Sequence, residues 1–310
     1  MKLFSTKIFC FIFGLLCFLF IADRVLTSHI RHCGVREYKI WEDIFNSRIK
    51  SNMIFLGSSK CYAHYNPAVF DSLLNIDTYN LGLNGKRCDF DILRYNQYKK
   101  HKNNPPQYIV WDIMQNSFEK SSGYGDEQFM PYIYDADIWN AIHSKGHKIY
   151  HIDRIIPMIR YYRKGMIHRF PTDDGYAYKG YVHEYQPFDS KELQNIADNS
   201  LKYFIDTNIV ESFRSTIKEM QNDGANVILV YSPFYYKGQH KIKDLQQFIH
   251  YIEKIADDEH CIFLNYLDSY INQDSSLFKN ATHLNSTGAD VFSSLLSHDL
   301  DSIFNITASF

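Results

Sequence analysis

Five short strand candidates recur after residue 50, most of them nearly continuous apolar runs, with stretches of helix length between them. They are residues 53–56, 78–80, 108–112, 226–231 and 261–265. A strand that is apolar at nearly every position is buried on both faces, which is the situation of a parallel sheet covered by helices. The stretches between them (67–74, 90–102, 205–222, 242–257 and one starting at Ser286) read as helices. "NNPP" at 103–106 and "NDG" at 222–224 supply stop signals. The pattern predicts an α/β chain with an open parallel sheet of about five strands. Residues 118–200, rich in Tyr, His, Gly and Pro, break the alternation and read as a partly helical insertion between the third and fourth strands.

The N-terminus does not belong to that pattern. Lys2 and Lys7 precede an unbroken apolar run over residues 8–22, closed by Asp23 and Arg24. The run is shorter than the about 17–25 residues of a membrane span. Leu3, Phe4, Val25 and Leu26 extend it if Lys7 and Arg24 snorkel. No small-x-small cleavage site follows, and Cys17 lacks the small residue before it that lipidation requires. The expectation is an uncleaved signal anchor over residues 1–27, followed by one α/β domain over 28–310. Basic residues flank the run on both sides, so the charge rule does not orient it. A long domain after a single anchor can still be exported, and a location outside the cytoplasm is expected.

The net charge of −2 gives no basic excess, which argues against nucleic-acid binding. Of six cysteines, Cys10 and Cys17 lie in the apolar run, and Cys61 and Cys88 could pair in an oxidising compartment. The cysteine spacings do not form a zinc motif. His143, His147 and His151 recur every four residues and could share a helix face, although Gly146 interrupts them. "GYAYKGYVHEYQPF" at 175–188 could contact sugars or be a solvent-facing aromatic loop. No metal and no cofactor is expected.

In an open parallel sheet, ligands gather at the carboxyl ends of the strands. After the first strand stands Gly57-Ser58-Ser59, and after the second "NLGLNG" at 80–85, in which Gly82 and Gly85 could turn N–H groups toward an oxyanion. Asn116 follows the third strand and could donate from its amide. After the fifth, His283 lies just before a helix start marked by Asn285 and Ser286. Taken singly, each is a turn residue or a cap. Their common edge is what suggests acyl transfer.

These blocks resemble the SGNH (GDSL-type) hydrolases. "LGSSK" matches the nucleophile block with Ser59 in the serine's place. "NLGLNG" matches the oxyanion block through Gly82, "MQNS" keeps only Asn116 of the third block, and "NATHLNSTGA" matches the last block at His283. The resemblance covers roughly 50–116 and 225–300. It implies a three-layer, flavodoxin-like fold, a Ser59 nucleophile, a His283 base and no cofactor. A membrane helix joined to such a domain resembles envelope proteins that acylate or deacylate polysaccharides. That likeness implies a glycan or acyl-ester substrate at the bacterial cytoplasmic membrane and a membrane-bound O-acyltransferase as partner. Turnover would be hydrolysis with water as acceptor, or transfer with a sugar hydroxyl.

One departure matters. The aspartate of the family's last block is Asn280 here. Asn280 could orient His283 through its carbonyl, Asp268 or Asp274 could substitute, or the chain could be an inactive glycan- or partner-binding module.

Overall fold

A computed structural model describes residues 2–143, 147–166, 177–194 and 196–308. The helices are α1 (Lys2–Arg31), α2 (Arg36–Phe45), α3 (Ser59–His64), α4 (Pro67–Leu74), α5 (Cys88–Lys100), α6 (Ala136–Ile142), α7 (His151–Ile155), α8 (Ile159–Arg163), α9 (Lys191–Gln194), α10 (Thr207–Asn222), α11 (Tyr236–Gln239), α12 (Leu245–Asp258) and α13 (Ser286–Phe304). The strands are β1 (Met53–Leu56), β2 (Thr78–Asn80), β3 (Tyr108–Asp112), β4 (Ala177–Tyr178), β5 (Tyr181–Val182), β6 (Asn226–Tyr231) and β7 (Ile262–Asn265). The chain groups into two compact units, residues 1–42 with 122–175 and residues 43–121 with 176–310. The segment expected as one insertion over 118–200 is thus divided between them.

The second unit is built on a five-stranded sheet in the order β2-β1-β3-β6-β7, parallel throughout. This is the flavodoxin-like order, whose switch point lies between β1 and β3. Every residue of β1, β2 and β3 is buried, including the polar Thr78 and Asn80 of β2 and Asp112 at the end of β3. On one face Phe55, Val110, Ile228 and Val230 pack with Phe70 of α4 and Phe292 and Leu296 of α13. On the other, Trp111 meets Phe213 of α10 at 4.5 Å between ring centres, and Phe118 meets Phe213 and Phe248. The result is three layers, helix–sheet–helix. A two-stranded hairpin, β4–β5, is tied to the end of β2 by the Asn80 N–H to Lys179 C=O bond.

The first unit begins with α1, a helix long and apolar enough to cross a membrane, with a mean hydropathy of 2.3 in its most apolar window. Its phenylalanines Phe4, Phe9, Phe11, Phe13 and Phe18 are exposed. Past Ala22 its character changes. Asp23, Thr27 and Ile30 are buried in the unit, where Asp23 pairs with Arg160 at 2.8 Å and the Thr27 hydroxyl meets that of Tyr161 at 2.7 Å. Trp41 of α2 packs on Phe129 and Tyr132. One continuous helix therefore carries both the exposed apolar stretch and residues buried in this unit.

The three histidines do not share a helix face. His143 ends α6 and stacks on Trp139, His151 opens α7, and His147 is buried against Asp126 at 3.0 Å. Residues 144–146 lie outside the described residues. Among the described residues no group of three or more potential ligands could hold a metal. Cys61 and Cys88 are both buried and are not joined in a disulfide.

Candidate active site

β1 hands the chain into a sharp elbow. Gly57 has φ of +142°, and a Cβ there would stand 2.9 Å from the Asp112 carbonyl oxygen and 2.9 Å from the Cys61 Cβ. Only glycine fits both the dihedral and the gap. Ser58 is the N-cap residue of α3, and Ser59 is the first residue of that helix, at the carboxyl edge of β1 beside the switch point. The same short helix ends in His64, whose Nε2 accepts the Leu284 N–H at 3.1 Å. α3 thus fixes the serine at one end and holds the residue after His283 at the other.

His283 sits in a closed loop. Phe278 and Leu284 form an antiparallel bridge, and the Lys279 N–H donates to the His283 carbonyl at 2.8 Å. The loop presents the imidazole so that Nε2 lies 2.9 Å from Ser59 Oγ. Its Nδ1 lies 3.1 Å from Asn280 Oδ1 and 2.8 Å from Thr282 Oγ1. Asp268 and Asp274 do not reach it; both are exposed, and Asp274 caps the Ser276 N–H.

The orientation of the Asn280 amide is fixed by its neighbours. The backbone N–H groups of Thr282 and His283 both point at the atom facing the imidazole, at 3.1 and 2.9 Å. Two N–H donors require an acceptor, so that atom is the amide oxygen. An acceptor beside Nδ1 places the ring proton on Nδ1. Nε2 then carries the lone pair that accepts the Ser59 hydroxyl hydrogen bond. When asparagine replaces the aspartate of a serine-protease triad, about 10⁴ in rate is lost because the amide selects the wrong tautomer. Here the loop backbone enforces the right one. What Asn280 does not supply is the negative charge that stabilises an imidazolium.

The surrounding charges reinforce that deficit. Burial, then Lys60, then Lys279 push the His283 imidazole down to about 4. Lys60 follows the serine in α3 and is buried, its ammonium donating to the Ser232 carbonyl at 2.8 Å and facing the Tyr231 ring at 4.7 Å. Burial lowers it to about 8, partly offset by Asp112. Asp112, at the end of β3, accepts the Tyr65 hydroxyl at 2.7 Å, and burial raises its carboxyl. A neutral histidine hydrogen-bonded to a serine is a competent general base at neutral pH, and the proton it takes up is held weakly.

Ser59, Asn280 and His283 line a cleft of about 160 Å³ with Tyr62, Asn84 and the Glu184–Lys279 ion pair, 2.9 Å across. The expected oxyanion residues fall differently. The Gly82 N–H donates to Asn80 Oδ1 at 2.8 Å. Its lack of a side chain serves packing, since a Cβ would lie 2.5 Å from the Tyr62 nitrogen. The Leu83 N–H is engaged by the Gly57 carbonyl. Asn84, one step further in the same motif, is the member that lines the cleft, and Gly85 follows it with φ of +72°. Asn116 is half-buried in the turn after β3 and does not line the cleft; its Oδ1 has no partner. Asn84, Lys60, Glu184 and Lys279 were missed from sequence. "NLGLNG" contained the signal for Asn84, and only the tertiary fold brings Glu184 to His283. In the aromatic stretch 175–188, residues 175 and 176 lie outside the described residues. Of the rest, His183 and exposed Tyr185 stack at 5.7 Å.

No family model and no curated protein matches the sequence. Among solved structures, the fold is similar to several esterases of low sequence identity. A family two carbohydrate esterase from Clostridium thermocellum, in complex with cellohexaose, is 11% identical, with a TM-score of 0.44 covering 82% of this chain and 64% of that one. A variant of an acetyl-xylooligosaccharide esterase from Geobacillus is 13% identical, with a TM-score of 0.42 over 81% and 94% of the two chains. A GDSL-like lipase from Bacteroides thetaiotaomicron is 12% identical, with a TM-score of 0.38 over 81% and 88%.

Proposed function

We infer that this chain is a serine-dependent O-acyl esterase or acyltransferase, tethered by α1 to the bacterial cytoplasmic membrane and acting outside the cytoplasm on acyl, chiefly acetyl, esters of polysaccharide. The observation that carries the chemistry is the Ser59–His283 hydrogen bond, with Asn280 Oδ1 holding the imidazole in the base-competent tautomer. Ser59 Oγ attacks the ester carbonyl and its proton passes to His283 Nε2. The tetrahedral intermediate collapses, the C–O bond to the alcohol breaks, and Nε2 returns the proton to the leaving oxygen. Water or a second sugar hydroxyl then gives its proton to Nε2 and attacks the acyl-serine; the bond from the acyl carbon to Ser59 Oγ breaks, and Nε2 returns the proton to Oγ. The Ser59 N–H, an orphan donor at the start of α3, and the Asn84–Gly85 segment are the donors assigned to the oxyanion; the half-buried Asn116 would have to move into the cleft to join them. A membrane-bound O-acyltransferase as acyl donor fits the transferase version of this reading.

The test is a fluorophosphonate probe on the full chain in mild detergent, with the adduct located by mass spectrometry. Label on Ser59, lost in Ser59→Ala and in His283→Ala, is the expected result. A folded protein that takes no label at Ser59 would instead be a binding module that retains the cleft without turnover.

A further inference from the structure

α1 meets the rest of its unit at the residue where the apolar run stops. Asp23 accepts the Met158 N–H at 2.7 Å and pairs with Arg160, and both partners come from the α7–α8 segment. Met158 is therefore held beside the point where α1 leaves its apolar stretch. Ile156 is two residues away and Ile155 three, so chain geometry keeps them within about 8–11 Å of Met158. These residues are not packed inward. Ile155 is 75% exposed, Ile156 43% and Ile152 40%. Three large aliphatic side chains within five residues, all open to solvent, form an apolar patch of the kind that marks an interaction surface.

The surroundings identify the partner. Tyr134, Tyr150 and Tyr162 are exposed nearby in sequence or contact. The Arg24 guanidinium lies between the Phe20 and Tyr134 rings, at 5.0 and 5.2 Å, and Arg154 donates to the Tyr134 carbonyl. Arg163 faces the Tyr150 ring at 4.6 Å. Tyrosines and arginines gathered at the end of an apolar helix have the composition of the membrane–water interface, where aromatic rings sit at the headgroups and arginines reach phosphate.

We propose that Ile152, Ile155 and Ile156, with the tyrosines and arginines around them, form a second membrane contact: an interfacial ledge that lies on the lipid beside α1. It rests on the reading of α1 as a membrane anchor. A single helix leaves its domain free to swivel. A ledge packed against the base of that helix and seated in the headgroups would fix the first unit at the bilayer surface.

The experiment reconstitutes the full chain in nanodiscs of phosphatidylcholine and phosphatidylglycerol that include a phospholipid with a diazirine near its glycerol. After illumination, adducts are mapped by mass spectrometry. The expected result is lipid adducts on α1 and on residues 147–163. An Ile155→Asp/Ile156→Asp variant should lose the second set several-fold while keeping the first. Adducts on α1 alone overturn the ledge and leave the anchor standing. No adduct on α1 overturns both. In a parallel sample treated with a bifunctional amine reagent, chain-to-chain crosslinks through Lys148, with no lipid adducts at 147–163, would show that a second copy, not the bilayer, covers the isoleucines.

Discussion

At the scale of single residues, the site turns on which atom of Asn280 faces His283. The Thr282 and His283 N–H groups make it the oxygen, so Nδ1 donates to Asn280 and Nε2 faces Ser59, while no carboxylate charge stands beside the ring. Asn280→Asp should restore that charge within a prepared frame. An opposite charge at this range raises a histidine by about 1–3 units, and turnover should rise about ten- to a thousandfold by the same interaction in the transition state. The pH profile supplies the sign. The base must be neutral to act, and His283 is held down at about 4. In the native chain kcat/KM should therefore stay level from neutral pH to about one unit above that value and fall only below it. In Asn280→Asp the falling limb should move to higher pH. An unchanged rate and limb in that variant would mean that the Asn280–His283 contact does not govern the proton transfer.

At the scale of elements, the elbow between β1 and α3 decides whether Ser59 is presented at all. Gly57 passes between the Asp112 carbonyl and the Cys61 side chain in a conformation open to glycine. Gly57→Ala combines positive-φ strain with backbone overlap and should cost about 2–4 kcal/mol, read as a lower urea midpoint. Because any relaxation moves the start of α3, probe labelling of Ser59 should also fall under conditions where the variant is still folded. A loss of stability with full labelling would show that the elbow and the serine are independent. Much of this was legible beforehand. The strands of the main sheet fall at 53–56, 78–80, 108–112, 226–231 and 262–265, within one residue of their apolar runs. α3 was not foreseen, because six residues with Lys60, Cys61 and His64 buried show no helical period. The β4–β5 hairpin was missed for a similar reason: two-residue strands are set by docking on Asn80, not by local pattern.

At the scale of the whole molecule, the first unit holds a buried ion pair at the point where the apolar stretch of α1 ends. Arg160 and Asp23 are both almost fully buried, and Arg160 also donates to the Met130 carbonyl and to Thr27. Arg160→Ala would strand the Asp23 carboxylate and should cost about 3–5 kcal/mol. The loss should appear as earlier thermal unfolding of Trp41 and Trp139 fluorescence and faster proteolysis within 126–163. The Asp23→Leu/Arg160→Met double variant should recover part of it, since no lone charge remains buried. If Arg160→Ala unfolds no earlier than the native chain, Asp23 is solvated there and the unit is held together otherwise.

The sequence alone determined the α/β class, the five strands of the main sheet and the placement of Ser59 and His283 at one sheet edge, because two-sided burial and strand-end position follow from local composition and chain order. It could not say which atom of Asn280 would face the imidazole, that the Gly82 N–H would be spent on Asn80, that Glu184 and Lys279 would wall the cleft, or that Asp23 would be buried by Arg160. Each of those depends on hydrogen-bond partners and charges brought together from distant parts of the chain. Packing, not composition, sets which donors remain for a substrate and how strongly His283 holds a proton.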